Sequence, residues 1–483
     1  MSAKHGLYTI NRKAVSILKM RLFYLMNEHQ VHHRLKLFFS EDDLSRISEF
    51  GSCGLTVANF PRNTPGANLR VVKLGGVSLT IPNIARQMKP EDNPYTPGAG
   101  TPPTELAGRD DVLNQAKNAI KRAGNKKLAK SLMLLGLRGV GKTVLLNKIE
   151  EIAEDEGCET AIFEAAPDRS LPEMLTPQLH RLLLKLNRRE AAGANLKKAF
   201  EALQGFASIF KVSFQGIDFS VKEAKATGDL SIDLSDLLSY VGEAAATRQT
   251  VAVILIDEVQ YVRREDLSAL IMALHKISQR KLPLLFFGAG LPQLARLAGE
   301  AKSYAERLFL YPEIDRLDFE SATRALRKPA TDEGVTYEDE AVAIILEETQ
   351  GYPFFLQAWG YHAWEIAPES PITAGHARQA TRLATIELDR GFFKVRLDRL
   401  TQRQQEYVRA MAEIGDRLAT STEVADMLGI SVKQAAPIRD EVIKKGMAYS
   451  PQRGRIAFTV PKFGSFLRRA IPDFPAHSSD VGA

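Results

Sequence analysis

Residues Gly136-Leu137-Arg138-Gly139-Val140-Gly141-Lys142-Thr143 have the types and spacing of a phosphate cradle. Glycines let the backbone wrap closely enough for successive N–H groups to face phosphate oxygens, and a following helix contributes the positive end of its dipole. The ammonium of Lys142 suits the β and γ oxygens of a nucleoside triphosphate, and the hydroxyl of Thr143 suits Mg²⁺. The apolar run 132–135 predicts a buried strand before the loop, and the pattern over 144–153 predicts a helix after it, which is the order a phosphate loop requires. The alternative is a glycine-rich turn that merely precedes an ordinary helix.

A second cluster stands 115 positions from Lys142. Residues 251–256 (VAVILI) read as a buried strand that delivers Asp257 and Glu258 at its carboxyl end, where ligands sit in open α/β sheets. Asp257 can complete a Mg²⁺ shell, and Glu258 can orient and polarise an attacking water, which is a hydrolase pattern. The alternative is a strand-ending turn. Two short alternating stretches over 207–221 predict an inserted hairpin, which with its flanking helices accounts for the long gap between the clusters.

The elements that must position these residues follow from the wider pattern. The chain has 483 residues, 45% of them hydrophobic and 25% charged, so a soluble globular protein of several domains is expected. No apolar run approaches the roughly 20 residues of a membrane span. The start has no signal-peptide pattern, and the two cysteines, Cys53 and Cys158, form no CxxC, so a reducing cytoplasm is the expected location. Strand and helix patterns alternate from Glu105 to Tyr311 and predict a parallel sheet with helical crossovers. Residues 318–396 are helical in pattern with breaks near Gly334, Gly351 and Pro371. The expected boundaries are a basic extension over 1–87, a linker over 88–104, a nucleotide-binding core over 105–316, a helical lid over 317–396, a third unit over 397–472 and a tail over 473–483. Five prolines and two glycines within 90–103 mark the linker.

These residues resemble the P-loop ATPases of the AAA+ superfamily, on the branch shared by origin-recognition initiators and STAND signalling ATPases. The resemblance covers Glu105 to about Ile471 and implies an α/β P-loop NTPase core of ASCE type, a helical lid, a C-terminal winged helix-turn-helix, and ATP with Mg²⁺ as cofactors. Leu106-Ala-Gly108-Arg109-Asp110 is similar to the box that opens such domains and implies Gly108 and Arg109 near the adenine and ribose. Gly351-Tyr352-Pro353 is similar to the lid signature of STAND proteins and implies Tyr352 and Pro353 at the nucleotide. Arg307 stands where related ATPases keep an arginine finger, with a surface ion pair as its alternative role. The strand over 284–288 corresponds to one whose end usually offers a small polar residue to the attacking water, yet Phe287-Gly-Ala-Gly-Leu-Pro-Gln293 offers none before Gln293, so slow hydrolysis is expected.

Over 400–471 the pattern is helix, short helix, turn, helix capped by Ser431, then a hairpin around residues 451–455. Residues 431–472 hold nine Lys/Arg against two acids, a phosphate-contact footprint. Lys433 and Gln434 open the candidate recognition helix, and Arg439, Lys444, Arg453 and Arg455 complete the expected double-stranded DNA contacts. The expectation is a nucleotide-dependent switch acting on DNA, alone or as a homo-oligomer. The rival is a STAND-like signalling ATPase with protein partners and no DNA binding, its winged helix clasped to the core.

Charge is placed unevenly. The net charge is +6, of which residues 1–87 alone contribute +7, making them a candidate nucleic-acid arm. They are expected to be poorly structured. Met88 is the candidate physiological start, an idea that a full-length mass of the native protein would sink. His29, His32 and His33 have a metal-like spacing but no accompanying carboxylates or cysteines, and read as a solvated stretch. The aromatic run around Trp359 and Trp364 reads as lid core.

Overall fold

Val77–Pro82 alternates apolar with polar residues after Gly75-Gly76, and it pairs in register with Leu69–Leu74, Leu74 lying opposite Val77. The computed structural model describes residues 56–58, 69–74, 77–82 and 87–474, apart from 99, 188–192, 213–226 and 416, in two units, 1–86 and 87–483. In the first unit β1 (Thr56–Ala58), β2 (Leu69–Leu74) and β3 (Val77–Pro82) form an antiparallel sheet in that order. The expectation of a poorly structured extension is therefore corrected over these strands, where the period is two and not helical. The histidines 29, 32 and 33 lie outside the described residues.

The second unit is built on five parallel strands, β4 (Ser131–Leu135), β5 (Glu159–Glu164), β6 (Ala252–Asp257), β7 (Leu284–Gly290) and β8 (Phe309–Leu310). Their spatial order is β5-β6-β7-β4-β8. Strands β4, β6 and β7 are buried at every position, which is why their sequences are unbroken apolar runs: helices cover both faces. All five strands run the same way, so the loop after β4 and the acids ending β6 share one edge of the sheet, where helix N-termini also gather.

The expected hairpin over 207–221 is not what its first residues form. Ala194–Ile209 is a helix with Leu196, Ala199, Leu203, Phe206 and Ala207 buried along one side, so a spacing of three and four decided the outcome at Ala207 to Ile209. Residues 213–221 of that expectation lie outside the described residues.

Beyond β8 come helices Phe319–Asp332, Asp339–Thr349, Pro353–Ile366 and Ala374–Glu387, then a π-helical stretch, Leu388–Phe393, and a short helix, Lys394–Leu397. Trp359 and Trp364 are fully buried among them. Residues 88–97, expected as part of the linker, form a strap along this lid. Met88 N donates to the Pro368 carbonyl at 3.0 Å, Trp364 Nε1 to the Lys89 carbonyl at 2.8 Å, and Asn93 Nδ2 to the Tyr361 carbonyl at 3.2 Å. The Tyr95 ring lies over Gly360, where any Cβ would come within 2.6 Å of it, and its hydroxyl receives Tyr337 Oη at 3.0 Å. The prolines exclude a continuing α-helix and leave one 3₁₀ turn, Pro90–Asp92, within backbone anchored by side chains.

The C-terminal residues form helices Gln402–Ile414, Ser421–Met427, Val432–Lys444 and Phe463–Ala470 with a small antiparallel sheet of β9 (Ala419–Thr420), β10 (Ala448–Tyr449) and β11 (Arg455–Phe458), ordered β10-β11-β9. Capping boxes at Thr420/Glu423 and Ser431/Gln434 start two of the helices. Phe393 stacks on Phe466 with centroids 5.3 Å apart, and Arg469 meets Asp389 at 2.7 Å, so the π-helical stretch is packed against the last helix. Among the described residues no helix is long and apolar enough to cross a membrane.

Candidate functional site

Gly139 and Gly141 adopt φ of +86° and +93°, a region that side-chain-bearing residues rarely enter. A Cβ at Gly141 would meet nothing within 4 Å, so the loop curls around open space at the start of helix Lys142–Asp155. Lys142 is buried, 6% exposed, and donates to the Leu137 carbonyl at 2.8 Å. Burial lowers its pKa, opposed by Glu258 and Asp257. A buried ammonium with one neutral acceptor is poorly compensated, and an anion in the loop would correct that.

Thr143 Oγ1 donates to Asp257 Oδ2 at 2.5 Å, so clusters 115 positions apart in sequence are in direct contact. Asp257 is also buried, and burial raises its pKa, partly offset by the hydrogen bonds from Thr143 and from Glu258 N. A hydroxyl and a carboxylate oxygen converging beside a phosphate cradle are a hard-oxygen donor set that fits Mg²⁺. Glu258 has φ of +52°, an uncommon conformation for a residue with a side chain, and its N–H donates to Asp257 Oδ1 at 2.7 Å.

Sequence reasoning missed Gln260. Its Nε2 donates to the Glu258 carboxylate, while its Oε1 accepts from Leu291 N at 3.0 Å, just past the end of β7. This amide therefore occupies the place where β7 itself supplies no polar side chain. Its position two residues after Glu258 was the available signal. Replacing Gln260 with Leu is expected to lower turnover by about 10- to 100-fold through misorientation of Glu258, with KM for ATP within about twofold because no phosphate contact is lost. Steady-state kinetics separates the two parameters, and a rise in KM alone would contradict this role.

The lid meets the loop. Phe354 N donates to the Gly139 carbonyl at 3.2 Å, and the Tyr352 ring lies 3.3 Å from a Cβ built on Gly139. Pro353 is the first residue of the helix whose N-terminus lies here. The Tyr352 hydroxyl is buried without a partner. Arg109 is buried and its Nη2 donates to the Val140 carbonyl at 3.2 Å and to the Asp315 carbonyl, so the guanidinium ties the loop to the segment after β8. Gly108 lies over Ser321 at the start of the lid. Arg307 is exposed in the short helix Ala305–Leu308, and among the described residues nothing ties its guanidinium to the phosphate loop.

The C-terminal unit reaches the same place. Arg138 N donates to the Thr459 carbonyl at 3.0 Å, Arg138 Nη2 to Tyr261 Oη at 2.6 Å, and Ser450 N to Gln293 Oε1 at 3.2 Å. Gly446 closes against this group: a Cβ there would stand 2.8 Å from Arg138 Nη2. Of the residues expected at DNA, Lys433, Gln434, Arg453 and Arg455 are exposed. Gln434 Oε1 accepts from Ser431 N at 3.0 Å as part of the capping box. Arg439 is partly buried and donates to Ser450 Oγ at 2.9 Å, and Lys444 lies at the C-terminal end of the helix, on the side of the ATPase core. No sequence signal pointed to Thr459 or Gly446, whose roles depend wholly on docking.

Residues 105–287 match the AAA ATPase domain family, and residues 390–467 match a domain of unknown function (DUF8462). No curated protein matches. Among solved structures, the chain is similar to a Walker-type ATPase of Pyrococcus abyssi at 16% identity, covering 76% of this chain and 98% of that one with a TM-score of 0.48. It is also similar to the Aeropyrum pernix ORC1 protein in complex with DNA, at 16% identity, 76% and 94% coverage and a TM-score of 0.39. The Thermotoga maritima RuvB Holliday junction branch migration motor matches at 14% identity, 77% and 99% coverage and a TM-score of 0.39. The segment that carries the phosphate loop and the acids ending β6 is thus the one that matches the AAA ATPase domain family.

Proposed function

We propose that the chain is a slow Mg²⁺-dependent ATPase in which the bound nucleotide controls the position of a C-terminal winged helix. The observation that carries this reading is the hydrogen bond from Arg138 N, inside the phosphate loop, to the Thr459 carbonyl. A loop that refolds around triphosphate or diphosphate changes a direct attachment point of the C-terminal unit, so occupancy and docking are energetically coupled.

The residues assign themselves to the reaction as follows. Loop N–H groups and Lys142 hold the triphosphate, and Thr143 and Asp257 hold Mg²⁺, which supplies charge neutralisation at the β and γ oxygens. Glu258, oriented by Gln260, takes the proton of the attacking water. Tyr352 and Pro353 close over the loop, with the unpartnered Tyr352 hydroxyl available to the sugar or base. Gly108 and Arg109 stabilise the junction below the loop. Arg307, exposed and without an ion pair among the described residues, is available as a finger toward a neighbouring copy. The cytoplasm is the proposed location.

The partner of the winged helix is proposed to be double-stranded DNA, supported by the excess of cations over 431–472 and by the exposure of Lys433, Arg453 and Arg455. The full chain is expected to bind duplex DNA with an affinity that falls steeply with salt and differs several-fold between ADP and a non-hydrolysable ATP analogue. Arg453→Gln with Arg455→Gln is expected to reduce the salt slope by about 2, which separates the winged helix from the basic extension. A specific observation favours a second reading: Ser450 and Thr459 of the wing region hydrogen-bond to Gln293 and Arg138 of the core. A STAND-like protein whose winged helix serves the core alone would show no DNA binding in either nucleotide state.

A further inference from the structure

A recess of about 630 Å³ lies between the ATPase core and the C-terminal unit. Arg138, Glu164 and Tyr261 line it from the core, and Arg399, Lys444 and Lys445 line it from the other side. It contains four cations and one acid. Glu164 is the one acid in the lining; partial burial and the Asp257 and Glu258 charges raise its pKa, opposed by Arg138.

The four cations are unusually short of counter-charge. Among the described residues, neither Arg138, Arg399 nor Lys445 forms an ion pair, and Lys444 reaches Glu441 only at 3.8 Å. Lys445 Nζ is held by neutral acceptors, the Arg399 carbonyl at 2.7 Å and Gln404 Oε1 at 2.7 Å. Arg138 Nε is buried with no partner at all. Arg396 adds to the same field: burial, with the Arg138 and Arg399 charges, brings its pKa down to about 10. Like charges gathered around a recess, one with an orphaned buried donor, are costly unless an anion completes them.

We propose that this recess, which the Arg138 side chain lines from the outer side of the phosphate loop, is a second anion site for a phosphate group, distinct from the cradle at Lys142, whose occupant bridges the core to the C-terminal unit. The occupant is taken to be a small molecule, because residues of the core and of the C-terminal unit line the recess together. Its volume lies within the range of small-molecule sites. The phosphate group has two possible sources, inorganic phosphate leaving the adjacent loop or a phosphorylated metabolite. In either case the anion sits between Arg138 and Lys445, and its binding favours the docked arrangement over the released one.

The test uses the full chain saturated with ADP and Mg²⁺, so that the loop is filled. Inorganic phosphate and ribose 5-phosphate are titrated separately by calorimetry. At least one probe is expected to bind once per chain, and Arg399→Gln with Lys444→Gln, both exposed positions, is expected to weaken it by at least about tenfold with ADP affinity unchanged. Tighter binding of inorganic phosphate identifies the hydrolysis product as the occupant, and tighter binding of ribose 5-phosphate identifies a metabolite; both uphold the site. Absence of binding by both probes, or binding undiminished in the double variant, overturns it. A chain that takes up no ADP would count against the nucleotide reading alone, because the probes are then titrated directly and the same two substitutions still discriminate.

Discussion

Replacing Glu258 with Gln is expected to lower ATP turnover by about 10²- to 10⁴-fold, the range for loss of a positioned general base, while ATP affinity stays within about twofold. The carboxylate stands at the end of β6, its backbone N–H bonded to Asp257 Oδ1 at 2.7 Å, and its side chain is gripped by Gln260. Glutamine keeps the size and one acceptor but cannot accept the water proton. The phosphate contacts come from other groups, namely the loop N–H donors and Lys142, so binding survives. The measurement is phosphate release under single-turnover conditions together with a nucleotide titration. Equal turnover in both proteins would mean that ATP serves as a structural cofactor, and the loss of binding together with turnover would mean that Glu258 holds the loop and not the water.

Lys142→Met, in contrast, is expected to weaken nucleotide binding strongly without destabilising the nucleotide-free chain. A charged contact to phosphate contributes about 3 kcal/mol, so ATP affinity should fall roughly 100-fold. In the nucleotide-free chain, however, the ammonium is buried and its pKa is lowered mainly by that burial. A lysine whose folded pKa is depressed contributes stability above its unfolded value, and this contribution is lost as pH falls through the folded pKa. Burial therefore makes the charged form costly in the nucleotide-free protein, and methionine, which keeps the aliphatic stem, removes that cost. Thermal unfolding should show a Tm at neutral pH no lower than that of the parent. It should also show loss of the nucleotide-induced rise, which at ligand about 100-fold above Kd corresponds to about 2.7 kcal/mol. A variant that unfolds early and still responds to ATP would contradict both halves of the argument.

The amino-acid sequence by itself determined the phosphate loop, the acids ending β6 and the parallel sheet that presents them. Each is encoded within a few adjacent residues: glycines that alone tolerate the loop's φ angles, an apolar run that must be a doubly covered strand, and a lysine and threonine at fixed offsets. The lid helices were legible for the same reason, since their breaks fall at Gly334, Gly351 and Pro371. Tertiary structure alone decided that Gln260 spans from Glu258 to the end of β7, that Arg138 turns away from the loop to meet Tyr261, and that Thr459 accepts the Arg138 N–H. It also decided that residues 88–97 form a strap, because a proline-rich segment reads as free until Tyr95 finds Gly360 from 265 positions away. Local pattern records the conformation a segment can adopt. Which polar groups meet across the sheet edge depends on how elements with no sequence proximity pack, and the hydrogen bonds that result leave no period or composition to read.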